Sequence, residues 1–284
     1  MTAEMAPVSN FEFPISNFEF LSCSLCQPDP SKSCGACCGL YNWEDHSRKV
    51  LMPLLERRSH LFSSLDRDPQ IFRKAYAHEM FPSNPKLLEE IYNCEFLGFL
   101  DGEKKRVGCL LHPSVNGGRD QRDYCFYGKE ICSGHFCPSH THLTRPEQRS
   151  VLAALEDWYL YGLVVTDIDL VKGFFHEVQA RLGDRLREER LESREVRVAL
   201  GDFFALKESW KFASCPRRLG KYYFSHSEYQ IARIEYEKKW RIKPSRFDKI
   251  LLSLESDFQT PEDVFEAEAV IEEKIASFLK AYEG

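Results

Sequence analysis

Ten of the 11 cysteines in this 284-residue chain fall between Cys23 and Cys137. Few chains of this size carry so many thiols in so short a stretch. A chain that does must pair them, bind something with them, or use them as redox groups. Pairing is disfavoured by the odd count and by the adjacency of Cys37 and Cys38. The first 20 residues hold no Lys or Arg, and Glu12, Pro14 and Glu19 interrupt any apolar run, so a secretory leader is not indicated. The apolar run Leu160 to Val165 is far shorter than the roughly 18 residues of a membrane helix. The expected location is therefore the cytoplasm, and in that reducing compartment clustered cysteines read first as metal ligands.

The spacing supports this reading. Cys23-x2-Cys26 and Cys34-x2-Cys37-Cys38 are tight units, each able to turn two sulfurs onto one ion, with Gly35 easing the second turn. A second set follows: Cys94, Cys109, Cys125, Cys132 and Cys137, with His112, His135, His140 and His142 interleaved. His112 and His135 are the histidine candidates, each lying within three residues of a cysteine. Cys-x4-Cys followed by Pro138 is also a spacing that occurs in loops holding iron–sulfur clusters. Cys215, isolated from the rest, reads as an inert core thiol.

The remaining sequence divides into three regions. Residues 1–20 duplicate a seven-residue segment (Val8 to Pro14, then Ile15 to Leu21) and read as a loosely held tail. Residues 21–143 form the cysteine-cluster region. It is glycine-rich and loop-like, with helices expected over His46 to Phe62 and after the Asp68-Pro69 cap, where Phe72, Tyr76 and Met80 share a face. Short strands are expected near Glu95–Leu100 and Val107–Leu111. Residues 144–284 read as helical. Thr144-Arg-Pro-Glu147 is a capping box before Val151, Leu155, Trp158 and Tyr159. Helical patterns return over Phe174–Leu182 and Val196–Phe212. Thr260-Pro-Glu-Asp263 opens a last helix with a stripe at Val264, Ala267, Ile271, Ile275 and Phe278. Asp167 and Asp169 read as a solvated turn. The fold class is thus mainly α, with an irregular, loop-rich cysteine region and few short strands. The net charge of −6 divides equally between the two halves, so neither a nucleic acid nor a membrane partner is indicated.

From Cys34-Gly-Ala-Cys37-Cys38 onward the chain resembles the YkgJ-type cysteine-cluster proteins, a zinc- or iron-chelating domain family named for its CxxCxxCC motif. The resemblance continues through Cys94-Glu-Phe-Leu and Val107-Gly-Cys109-Leu-Leu-His-Pro113, with Cys125 matching a later cysteine, and covers roughly residues 20–140. The first motif cysteine falls at Ser31, with Cys26 or Cys23 replacing it across an insertion; the segment Cys132 to His142 is an addition. The resemblance implies metal binding and carries no activity with it. The metal ligands expected are Cys34, Cys37, Cys38, Cys94, Cys109 and Cys125, then Cys23, Cys26, Cys132 and Cys137. The cofactor is an iron–sulfur cluster, such as 4Fe-4S, or zinc, since thiolates suit both; the surplus of thiols leans toward the cluster. Three classes of function follow: a metal-binding module, an iron–sulfur enzyme that modifies another molecule, and a zinc-stapled helical interaction protein. No nucleophile elbow, P-loop, HExxH or Rossmann fingerprint is present to choose an enzymatic reaction.

Overall fold

The computed structural model describes residues 24–79, 84–184, 186–214, 221–224, 227–230 and 233–284. The duplicated N-terminal segment, Cys23, Met80 and Cys215 lie outside them. Among the described residues the elements are mostly helices. The first two are α1 (Arg48–Ser64) and α2 (Pro69–Glu79). Asp68 Oδ1 accepts from the amides of Gln70 and Ile71, the cap expected ahead of Pro69. Pro53 sits inside α1 in its second turn, where it leaves Lys49 O without its i→i−4 donor. Strands β1 (Leu97–Phe99) and β2 (Val107–Cys109) pair antiparallel, with Leu97 opposite Cys109.

The stretch from 113 onward is more regular than its composition suggests. Two 3-10 turns (Pro113–Val115, Arg122–Tyr124) lead into α3 (Gly128–Gly134) and α4 (Ser139–His142). These helices are too short to show periodicity in sequence.

The second half runs α5 (Arg145–Ala154), α6 (Trp158–Val165), α7 (Ile168–Leu182), α8 (Glu188–Leu191), α9 (Arg194–Phe204) and α10 (Leu206–Ser209). A hairpin of β3 (Lys221–Phe224) and β4 (Ser227–Gln230) follows, then α11 (Tyr236–Trp240), α12 (Asp248–Ser253) and α13 (Pro261–Glu283). Both capping boxes, at Thr144 and Thr260, are formed. The α13 stripe is buried against α9 and α7, with Phe278 edge-on to Phe174 at 5.1 Å.

Three expectations are corrected. The pattern through Leu155 to Tyr159 is two helices, because Asp157 turns its carboxylate onto the amides of Tyr159 and Leu160 and starts a new one. The pattern to Phe212 ends at Phe204, where Ala205 opens a short extra turn and Trp210 leaves the axis to donate to Ser256 Oγ at 2.8 Å. Asp167 is no solvated turn. It caps α7 through Leu170 N at 3.0 Å, accepts from Ser253 Oγ at 2.8 Å and from the wholly buried ammonium of Lys207.

The element that positions the cysteine region is α6. Every residue of it is buried. One side joins the large helical core with Phe174, Phe203 and Ile271. Trp158, Tyr159 and Leu163 pack instead with Leu40, Tyr41, Leu51, Leu55, Phe99 and Val107 of the cysteine region. A helix apolar all round is a helix with protein on all sides. Among the described residues none is long and apolar enough to cross a membrane.

Candidate metal centre

The loops carrying the cysteines are held by main-chain contacts to buried side chains. Tyr161 Oη donates to Leu25 O at 2.8 Å, Tyr159 Oη to His46 O at 3.1 Å, and Tyr41 Oη to Tyr159 O at 2.9 Å. Ser33, fully buried, takes the Val107 amide on its hydroxyl at 2.7 Å and returns a bond to Val107 O at 2.8 Å. Its segment is thereby laid along β2. Asn42, also fully buried, donates to Leu88 O, Ile91 O and Asn93 Oδ1 and accepts from Leu88 N. This ties the Cys34–Cys38 loop to the segment that ends in Cys94.

Cys37 and Cys38 close a 3-10 turn, Ala36–Cys38, terminated by Gly39 at φ +77°. A Cβ on Gly39 would lie 2.5 Å from Tyr92 O, so both the left-handed backbone and the close approach require glycine. The approach lets Cys94 N donate to Cys38 O at 2.9 Å.

Around this turn the described thiols form two groups. In the first, Cys34 N donates to Cys26 O at 2.8 Å, closing the loop between them. His140 reaches the same loop: its Nε2 accepts from Leu25 N at 3.2 Å. That fixes the proton on Nδ1, which faces Cys137 O at 3.3 Å and Cys137 Sγ at 3.7 Å. Burial raises the Cys26 thiol to about 12, with Cys37 and Cys137 adding to the rise. Burial likewise lifts Cys34, whose further causes are Cys26, Cys137 and Cys37. Cys137 is raised by burial too. Each of these thiols therefore lies within electrostatic reach of the others.

In the second group Cys94 and Cys125 are buried among Phe62, Phe72, Phe96, Leu110 and Leu111, with Cys38, Cys109 and Cys132 packed against them. The sulfurs of Cys125 and Cys132 are 3.3 Å apart. Burial lifts Cys94 well above the thiol range and Cys109 to about 11. Cys132 is pushed to about 12, by burial and then by Cys125. The Cys38 thiol donates to Cys37 sulfur. This lowers Cys37 and raises Cys38, on which Cys94 and Cys109 also act.

Arg58 is 2% exposed, and its hydrogen bonds all go to uncharged groups: Tyr76 Oη at 2.7 and 3.0 Å, Cys94 O at 3.2 Å and Leu97 O at 3.4 Å. A buried cation without a carboxylate on it is costly unless negative charge forms nearby. It meets the Cys94 segment through the main-chain oxygen of Cys94. Arg122, clamped on Asp120 at 2.7 and 2.9 Å, stands beside Cys109 and Cys132.

The structure thus brings together Cys26, Cys34, Cys37, Cys38, Cys94, Cys109, Cys125, Cys132 and Cys137, all free thiols. Cys23 lies outside the described residues. His140 stands at a sulfur, and His135, at the C-terminal end of α3, lies within electrostatic reach of His140; His112 caps the turn at Pro113 by accepting from Ser114 N, and His142 bonds Pro138 O. Sequence reasoning did not find Arg58, Asn42 or Ser33. A buried polar residue leaves no periodic trace, although Gly39 after the Cys-Cys pair was a signal of close packing.

The donor set fits a thiophilic metal. It offers soft sulfur donors from separated segments, an imidazole N–H aimed at one sulfur and a guanidinium beside another group. Among the described residues no three Cys, His, Asp or Glu side chains already stand in a metal-holding arrangement. Sulfurs on one zinc lie about 3.8 Å apart, so the backbone gathers the thiols and side-chain torsions would have to close them. No family model, no curated protein and no solved structure matches this chain.

Proposed function

We propose that this chain is a metal-binding protein whose cysteine region holds zinc or an iron–sulfur cluster through thiolates. One observation carries the reading. Nine free cysteines from separate segments are drawn around one 3-10 turn, where burial makes Cys26, Cys34, Cys94, Cys109, Cys132 and Cys137 expensive to ionise alone. Isolated core thiols need no such convergence, and no disulfide joins any of the nine. A bound cation offsets the thiolate charge, and Arg122 beside Cys109 and the His140 N–H beside Cys137 add to it. The resemblance to cysteine-cluster proteins points the same way. Zinc in such a site would brace the loops. A cluster would add electron transfer.

The test is metal and sulfide analysis with a visible spectrum on chain purified without oxygen and without added metal. Iron and sulfide in matching amounts, with a brown colour, would make it an iron–sulfur protein. Stoichiometric zinc in a colourless sample would make the centre structural. A metal-free chain with every thiol reactive would sink the reading.

A further inference from the structure

We infer that the cysteines build two separate centres, divided between the adjacent residues Cys37 and Cys38. The inference rests on the metal-binding reading above and assigns its ligands. One centre takes Cys26, Cys34, Cys37 and Cys137. The other takes Cys38, Cys94, Cys109 and Cys125 or Cys132.

Three independent observations draw the same line. The first is main-chain wiring. Cys26 and Cys34 are joined by a backbone hydrogen bond, and the Cys137 segment reaches them through His140 and Leu25 N. Cys38 is joined instead to Cys94, and Cys94 to the β1–β2 hairpin through Leu97 N and the Leu97–Cys109 register. The second is packing. All five thiols of the second group border the aromatic cluster of Phe62, Phe72 and Phe96, which Cys34 does not; Cys34 packs at the seam of the other two cores, one of which Cys38 also borders. The third is direction. Successive residues of a 3-10 turn are rotated by about 120°, so the side chains of Cys37 and Cys38 leave the turn in different directions. Their thiols still touch, which makes the two centres neighbours.

The count agrees. The first group holds the four sulfurs that a tetrahedral zinc or a cubane cluster takes. The second holds five, with Cys125 and Cys132 at 3.3 Å supplying one ligand and one surplus thiol. A neighbouring-cysteine split of this kind lets the Ala36–Cys38 turn act as the common wall of both sites.

The test uses the full chain and its Cys137→Ser and Cys109→Ser variants, purified as above, with metal per chain read beside helix content. The expected result is two centres in the parent and half the metal in either variant. The double variant should hold none, with the helical core intact. A measurement on the parent alone covers a variant that fails to fold. Two centres protect about eight of the 11 thiols from a thiol reagent until a chelator is added, and one centre about four. A single centre lost entirely from both variants, or about four protected thiols, overturns the division and leaves metal binding standing. A metal-free parent overturns both.

Discussion

A Cβ at Gly162 would lie 2.2 Å from Tyr41 Oη, in the middle of a fully buried helix. There the cysteine region and the helical half pack directly against each other. Gly162→Ala should cost about 1–3 kcal/mol through overpacking. Tyr41→Phe, which loses the bond to Tyr159 O, should cost about 1 kcal/mol. Because the clash is with the hydroxyl itself, the double variant should be more stable than the sum of the two losses implies. Denaturant titration of the four proteins reads this coupling, and strict additivity would show that the two residues do not touch. Little of this was legible in advance. Tyr41 and Gly162 are 121 positions apart, and a glycine inside an apolar run announces a close approach without saying by what.

At the scale of elements, the capped helices were legible and the polar ties between them were not. Thr144, Asp68 and Thr260 act within a few residues of themselves, so their caps can be read directly. Asp167 gives the opposite lesson. Its local signal, an acid ahead of a helix, misses that Lys207 and Ser253 converge on it from α10 and α12. Asp167→Asn keeps the cap acceptor and removes the charge opposite a fully buried ammonium. It should destabilise the fold by about 3 kcal/mol. The midpoint of thermal or denaturant unfolding checks this, and a change within about 0.5 kcal/mol, as for surface sites, would mean that Lys207 is neutralised elsewhere. The cysteine loops follow the same rule: their spacing named the candidate ligands, while the grouping arose from Ser33, Asn42 and Tyr161, which look ordinary in sequence.

For the whole molecule, the thiols couple stability to pH. In the metal-free fold Cys26 and Cys132 are raised to about 12 and Cys109 to about 11, against 9.0 for an ordinary thiol. Below pH 9 both folded and unfolded chains keep these protons, so they contribute no change. As pH rises beyond 9 the unfolded chain releases protons that the fold retains, and stability falls until the folded thiols ionise near 11–12. A metal-loaded chain already holds thiolates, so it should keep its midpoint through that range and weaken toward acid pH as protons compete for sulfur. Thermal midpoints at pH 7, 9 and 10.5, with and without chelator, separate the two. A chelated sample with a level midpoint from 9 to 10.5 would contradict the burial of these thiols.

The bond from Tyr161 Oη to Leu25 O spans 136 positions. At roughly 5–20 residues per second of synthesis, the loop of Cys26 and Cys34 leaves the ribosome about 7–27 s before the helix that anchors it. For that interval the loop lacks its Tyr161 anchor, and its thiols lie open to oxidants and to any passing metal. The fold therefore sets a timing demand on the cell: the thiols must stay reduced until α6 emerges, and under the metal-binding proposal the correct metal must be at hand when it does.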